Sequence, residues 1–477
     1  MPKRDGKWFS RENYTSRGKF IQCDVNPEIF SSKQEDKCPK CKKLREEWFW
    51  CRFCEIKEFK EKKWTSGNKD IDELIKESQI KATKFWNFIE WIPSESIEKH
   101  DLIGKGGFAS VYAATWINGP RIKPSITDDG TVNIVRAERW PVALKRLNKI
   151  SKNFLKEVKT HIELKNDYIV RCFGITKDPE SEDYMMVTDY VENGDLRKYL
   201  QNNFRNLTWK SKIEMLLEIA KGLKTIHDSG YLHRDLHAGN ILPDRIVQIA
   251  DLGLSGPADL IIPENQLCGV IPYMAPETLR KATYSKSTDV YSFSMLMWEM
   301  ASNKRPFATR SHGTYLILNI AEGLRPTIPP NIPKVYKDLM VECWDQVPSK
   351  RPTVDKLIKR LETFLNNICW HSTPKIALQF DHAERCRLES LTNEIENDST
   401  HLHPEAFYDS RNLSQYSLLD NDESKLIVND VNDVDSKHYH SEDLSNIDGA
   451  IYLEVDNSTN THSVELISMS RGLSETN

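Results

Sequence analysis

The run YLHRDLHAGN at residues 231–240, followed by Asp251-Leu252-Gly253, constrains this chain more than any other stretch. Just before it, Ile213, Leu216, Leu217, Ala220, Leu223 and Ile226 recur at the spacing of one buried helical face across residues 209–228. A buried helix must therefore deliver a polar loop that sets Asp235, Asn240 and Asp251 close together in sequence. Two acids and an amide suit chemistry that moves one proton and neutralises several phosphate charges. Phosphoryl transfer asks for little else, because positioning and charge stabilisation supply most of its rate. Asp235 is then a candidate proton acceptor. Asn240 and Asp251 are candidate oxygen ligands for Mg²⁺.

Other segments stand in a telling order. LIGKGGFASVY at residues 102–112 reads as strand, glycine turn and strand, whose backbone amides can close over phosphates; taken alone, such a loop is a weak signal. Val142-Ala143-Leu144-Lys145 reads as a strand, and FLKEV, with Glu157, as part of a helix. YMMVTDYVENGDL follows at 184–196, then Ala275-Pro276-Glu277, Asp289 in STDVYSFSMLMWEM, and Arg351 in KRPT. Each alone reads as an ordinary surface charge or a packed strand. Together and in this order they resemble the eukaryotic protein kinases, specifically the tyrosine-kinase-like branch, over about residues 96–368.

That resemblance implies an α+β fold with a β-rich N-lobe and an α-helical C-lobe. It implies ATP and Mg²⁺ as cofactors, with Asp235, Lys145, Glu157, Arg234, Asn240 and Asp251 in the catalytic set. Lys145 would reach the α and β phosphates while pairing with Glu157. Ile103, Gly104, Lys105, Gly106, Gly107, Val111 and Ala143 would surround the nucleotide, with Thr188 as gatekeeper, Asp189 and Val191 offering backbone groups to adenine, and Asp195 near the ribose. Glu277 would pair with Arg351, and Asp289 would hold the catalytic loop from beneath.

Departures from the family pattern cluster where the acceptor is chosen. His237 stands where serine/threonine kinases carry Lys and tyrosine kinases Ala, and Val270 replaces a threonine before the P+1 loop. The YMAPE ending favours serine and threonine over tyrosine, with tyrosine left open. Ala109 takes the place of the third glycine and Leu252 that of a phenylalanine. Between residues 251 and 277 the hydroxyls are Ser255 and Tyr273, so Asp259 or Glu264 is expected to pair with Arg234 in place of a phosphate. Retention of the whole catalytic minimum argues for an active enzyme over the alternative, a pseudokinase scaffold that binds ATP without turnover.

Outside that stretch, Cys38-Pro-Lys-Cys41 and Cys51-Arg-Phe-Cys54 form two CxxC knuckles. Four thiolates suit one tetrahedral Zn²⁺ with no open position, although the spacer is shorter than usual and unligated cysteines are the rival reading. Trp48, Phe49, Trp50 and Phe53 would form the small core, with a nucleic-acid surface of basic and aromatic residues as the weaker alternative. Asp70 and Glu73 in capping-box register precede an amphipathic run through Ile89. Residues 117–138 read as a hairpin or loop inserted between two strands.

Charge is asymmetric. Residues 1–64 carry about +6 and residues 401–477 about −11, against a net −4 for the chain. The expected organisation is a basic zinc-knuckle segment at 1–68, a linker helix at 69–95, a kinase domain at 96–370 and an acidic, largely disordered tail at 371–477. Protein hydroxyls are the expected partners. Nothing in the balance of charge points to nucleic acid, no apolar run is long enough to span a membrane, and the oligomeric state is not encoded legibly. A cytoplasmic address is expected, with the nucleus left open.

Overall fold

The computed structural model describes residues 37–38, 40–44, 50–107, 109–126, 132–147, 152–258, 266–392, 402–414 and 416, with short strands at 425–426, 452–455 and 464–467. In chain order the elements are α1 (Arg52–Glu61), α2 (Lys69–Ile80), β1 (Glu90–Trp91), β2 (Ile97–Lys105), β3 (Ala109–Trp116), β4 (Arg121–Ile126), β5 (Val132–Arg136), β6 (Trp140–Leu147), α3 (Lys152–Glu163), β7 (Cys172–Lys177) and β8 (Tyr184–Asp189). There follow α4 (Leu196–Asn203), α5 (Trp209–Asp228), β9 (Tyr231–Leu232), β10 (Ile241–Pro243), β11 (Val247–Ile249), β12 (Gly256–Pro257), β13 (Cys268–Gly269), α6 (Pro276–Lys281) and α7 (Lys286–Ser302). The last are α8 (Thr314–Ala321), α9 (Lys334–Cys343), α10 (Val354–Trp370), α11 (Pro374–Thr392) and β14 (Arg411–Asn412). Two compact units result: Met1–Gly194 with Leu242–Gly253, and Asp195–Ile241 with Leu254–Asn477.

The first unit is built on a six-stranded sheet of order β1-β7-β8-β6-β3-β2. It is antiparallel except for the parallel β1–β7 pair. Strand periodicity decides what each face carries. In β6, Val142 and Leu144 are fully buried with Trp116, Phe173, Met185 and Val187, so Ala143 and Lys145 must point to the opposite face. The same argument turns Val111 and Ala143 to one side of the paired β3 and β6, which align Val111 with Lys145 and Ala113 with Ala143.

Helix α2 begins two residues earlier than the capping-box reading suggests. The Asn68 side chain accepts from the backbone N–H groups of Asp70 and Ile71, while Asp72 takes Ser66 and Thr65. It also ends at Ile80, so the amphipathic run continues without being helical. Asn87 Oδ1 accepts the N–H groups of Thr83 and Lys84 at 3.1 and 3.0 Å and draws the chain into a turn. Ile71 and Ile75 still pack on Phe154 and Val158 of α3, together with Ile89, whereas Ala82 and Phe88 join a separate cluster with Trp50 and Phe59. That cluster corrects the expected aromatic core: Trp50 is buried, but Phe53 is exposed beneath Lys43. Trp48 and Phe49 lie outside the described residues.

The insertion forms the antiparallel hairpin β4–β5. Its role becomes visible through Arg121, whose guanidinium meets Glu55 of α1 at 2.7 Å with both side chains about nine-tenths buried. Glu55 also accepts the Trp50 indole N–H at 3.1 Å, and Arg121 lies over the Phe59 and Phe88 rings. The insertion thus clasps the cysteine-bearing segment within this unit.

The second unit is helical. The expected apolar face of α5 is buried as read, with Thr208 capping the helix through the Ser211 N–H. Helix α7 is buried from Thr288 to Met300. The stretch after residue 370, expected as an acidic, largely disordered tail, includes described elements of this unit. Helix α11 packs Phe380 against Trp209 and Phe364, and its Glu384 accepts the Trp209 N–H at 3.0 Å. Residues 402–414 lie along the same unit, with Leu413 buried and β14 paired to β13. Composition averaged over the acidic tail hid these few anchoring residues.

Removing one partner of a buried ion pair strands the other, at a cost of roughly 3–5 kcal/mol. Arg121→Ala is therefore expected to destabilise the first unit by about that amount in urea denaturation, whereas the double variant Arg121→Met/Glu55→Gln should recover much of the loss.

Candidate active site

Lys145 stands at the centre of the polar face of the sheet unit. Its ammonium meets Glu157 Oε1 at 2.6 Å and Asp251 Oδ1 at 2.7 Å. Burial works against the charge, but the two carboxylates outweigh it and push the Lys145 pKa up. Glu157, 2% exposed, is fixed by α3 and pulled the other way by burial, which raises its pKa against the attraction of Lys145. Asp251 adopts a left-handed φ of 54° and accepts the Gly253 N–H at 3.1 Å. Such a backbone costs on the order of 1–3 kcal/mol in a residue with a Cβ, and it aims the carboxylate. The expected Lys145–Glu157 pair is thus present, and Asp251, expected only as an ion ligand, joins it.

In the helical unit a second set forms around Asp289. Its carboxylate, 1% exposed, accepts the backbone N–H groups of His233 and Arg234, both at 2.9 Å, and lies 2.8 Å from His227 Nε2. Arg234, at φ 71°, and Asp235 follow directly. The Asp235 N–H donates to His233 Nδ1 at 3.2 Å. Asn240 donates its amide to the Asp235 carbonyl at 2.9 Å, which leaves the Asn240 side-chain oxygen as its ligand atom for a hard cation. His237 Nε2 is 3.6 Å from Asp235 Oδ2, and its Nδ1 accepts the Gly239 N–H at 3.1 Å. A Cβ on Gly239 would lie 2.9 Å from the imidazole, so this glycine lets the histidine fold inward. Arg351 grips Glu277 through two bonds of 2.6 and 2.8 Å.

The residues expected around a nucleotide lie on β2, β3, β6 and β8 and the turns that follow them. Gly104 and Lys105 end β2, and the Gly106 N–H closes the turn on the Ala109 carbonyl at 2.9 Å. Ile103 is half exposed, as an open lip requires. Gly107 lies in the same turn. Thr188 is buried and donates to the Ala143 carbonyl at 3.4 Å, and the Asp189 N–H is spent on Arg171. Val191 accepts from Gly194 at 3.2 Å. Asp195, read from sequence as a ribose neighbour, is the N-cap of α4 and accepts the Lys198 N–H at 2.8 Å.

Two regulatory readings also meet the structure. Ser255 is fully buried and donates to the His233 carbonyl, and the buried Tyr273 hydroxyl donates to Glu299, so neither hydroxyl lies at the surface. Arg234 donates to the Pro257 carbonyl at 2.7 Å. Its expected partners Asp259 and Glu264 lie outside the described residues. One residue escaped sequence reading altogether: the Ser410 hydroxyl donates to Asp235 Oδ2. No local pattern around Ser410 carries that signal, because it depends on a contact between residues 175 apart.

Apart from these groups, the four knuckle cysteines converge. Their sulfurs all lie within 4.8 Å of one another, with Cys38–Cys54 at 3.6 Å and Cys41–Cys51 at 3.5 Å. Tetrahedral Zn–S bonds of about 2.3 Å place sulfurs about 3.8 Å apart, so the set fits that ion. Burial opposes the Cys38 thiolate, yet the backbone N–H groups of Cys41 and Lys40 hold its pKa down to about 7.

Comparison with known proteins agrees with this geometry. The family described as "Protein tyrosine and serine/threonine kinase" matches residues 97–361. The Dictyostelium discoideum "Probable serine/threonine-protein kinase drkA" is 31% identical over 271 residues, 55% of this chain and 38% of that protein. The same organism's "Probable serine/threonine-protein kinase drkB" is 30% identical, over 57% of this chain and 37% of that protein. Its "Probable serine/threonine-protein kinase pats1" is 31% identical, over 58% of this chain and 9% of that protein. The chain therefore spans well under half the length of these relatives. Among the described residues, no helix is long and apolar enough to cross a membrane.

The Asp289 carboxyl lies below its ordinary pKa: burial opposes ionisation, and the hydrogen bonds from His227 and the Arg234 N–H, with the nearby imidazoles, together outweigh it. Its stabilising contribution is therefore complete above the unfolded-state pKa and is lost as pH falls through the lower folded value. Asp289→Ala, which strands two buried N–H groups, is expected to cost on the order of 3 kcal/mol at neutral pH. The gap between variant and parent, followed by thermal denaturation, should narrow under strongly acidic conditions.

Proposed function

Because the chain belongs to the protein tyrosine and serine/threonine kinase family, we propose that it is an active protein kinase, transferring the γ-phosphoryl group of ATP to serine or threonine hydroxyls of proteins. The observation that carries this reading is the contact of Lys145 with both Glu157 and Asp251. A chain that only bound partners would gain nothing from burying this charged triad, because buried ions cost desolvation that a scaffold has no reason to bear.

In this mechanism Lys145 holds the α and β phosphates, with its charge maintained by Glu157. Asp235, fixed by the Asp289 cradle, orients the attacking hydroxyl and takes its proton. Mg²⁺, when bound, neutralises phosphate charge; the Asp251 carboxylate and the Asn240 side-chain oxygen are the residues that would hold it. His237 supplies less charge at the acceptor than a lysine would. The naming of the relatives as serine/threonine kinases supports the choice of hydroxyl. A signalling role in the cytoplasm is part of the same reading.

Structural zinc in the four-cysteine cluster completes it. The ion would tie the segment bearing Cys38 and Cys41 to α1, which carries Cys54, and so support the Glu55–Arg121 clasp. Purified chain is expected to carry one zinc per molecule, and Cys38→Ser/Cys54→Ser to carry none and to melt at lower temperature; metal-free parent protein would overturn the assignment.

With Mg²⁺ and ATP, the chain is expected to phosphorylate a generic protein substrate on serine or threonine, read by mass spectrometry. Asp235→Asn should lower kcat by roughly 10² to 10⁴ with nucleotide affinity retained. Intact ATP binding with no phosphate transfer would instead support the scaffold reading.

A further inference from the structure

Residues 402–414 are held on the helical unit by contacts that reach the proton acceptor itself. At the N-terminal end, the His403 N–H donates to the Ala308 carbonyl at 2.9 Å, and the His312 N–H donates to the Glu405 carbonyl at 3.0 Å. The Tyr408 hydroxyl donates to the Pro306 carbonyl at 2.8 Å, and its ring stacks edge-on against His312 at 4.9 Å. At the other end, β14 pairs antiparallel with β13, aligning Arg411 with Gly269 and Asn412 with Cys268. The Leu413 N–H extends that pairing to the Leu267 carbonyl at 2.8 Å, and the Leu413 side chain is 1% exposed. Between these two anchors sits Ser410, whose hydroxyl donates to Asp235 Oδ2.

We propose that residues 402–414 are a substrate segment built into the chain, and that Ser410 is phosphorylated in cis at the Asp235 centre. The inference rests on the kinase reading above and deepens it by naming an acceptor. The strand that directly follows Ser410 lies along the residues just before Val270, where an acceptor peptide would be held by main-chain bonds. A hydroxyl donating to the carboxylate that must take its proton is in the ground-state arrangement for general-base attack. Pairing fixes the backbone one residue from Ser410, so the hydroxyl must reach Asp235 on a single carbon. That depth suits serine or threonine; a tyrosine hydroxyl, at the far side of a ring, would overrun the carboxylate.

In the transfer, Ser410 Oγ bonds to the γ-phosphorus of ATP while the bond from that phosphorus to the β,γ-bridging oxygen breaks. The electron pair leaves with ADP, and the Ser410 proton passes to Asp235. The product carries between one and two negative charges beside an aspartate, a like-charge contact that disfavours the docked segment. Before phosphorylation the segment fills the acceptor position against other proteins, and afterwards it vacates it.

The test uses the full chain, treated with phosphatase and then given Mg²⁺ and ATP at several protein concentrations, with a generic protein substrate in parallel. Phosphate should appear on Ser410 at a rate per molecule independent of concentration. Ser410→Ala should lose that phosphate and still modify the generic substrate. In the Ser410→Ala background, where phosphorylation cannot release the segment, Leu413→Asp should free the acceptor position and lower the KM for that substrate severalfold with kcat unchanged. Transfer to the generic substrate without phosphate on Ser410, a Ser410 rate that rises with protein concentration, or a KM indifferent to Leu413→Asp would each overturn the proposal while leaving the kinase reading intact. Absence of transfer to either acceptor, with ATP still bound, would overturn the kinase reading itself.

Discussion

One buried carboxylate organises the catalytic loop. Asp289 receives two backbone N–H groups and faces His227, and those bonds hold Arg234 in a left-handed conformation that it would not choose alone. The direction of Asp235 follows from that constraint, as does the position from which Asn240 ties back to the Asp235 carbonyl. Helix α7 can bear a buried charge because the loop supplies its hydrogen bonds, and the loop can bear strain because α7 is packed nearly all round. Each compensates for the other, which is why a change in either should be felt in both.

The sheet unit answers a different problem, holding a cation in a buried place. Strand alternation turns Lys145 away from the apolar cluster that Val142 and Leu144 occupy. Glu157 and Asp251 then keep the ammonium charged against the cost of burial. Farther along the same unit the Arg121–Glu55 pair repeats the principle for structural ends. Both pairs fix geometry more than they add stability, in keeping with the usual balance between desolvation and attraction.

Sequence reading reached the residues whose environment is set by local pattern. The apolar face of α5, the alternation in β6 and the order of Lys145, Glu157, Asp235, Asn240 and Asp251 all follow from spacing or from a resemblance carried by contiguous motifs. It failed at the two ends of α2, where Asn68 caps the helix ahead of Asp70 and Asn87 draws the chain after Ile80 into a turn. For Asp195, capping and ribose binding use the same carboxylate, and sequence cannot rank them. Within the expected tail, average composition gave no sign of Phe380, Tyr408 and Leu413 as anchors.

The sequence by itself determined the family, the candidate side chains of the site and the placing of cysteines in two knuckles, because those depend on residue type at short spacing. Tertiary structure alone decided that the inserted hairpin clasps α1, that the four sulfurs converge, and that Ser410 meets Asp235. Each of these joins distant parts of the chain through a handful of atoms. Periodicity and composition are blind to such contacts, since the free energy that selects them comes from burial and hydrogen bonding after the surrounding elements have packed.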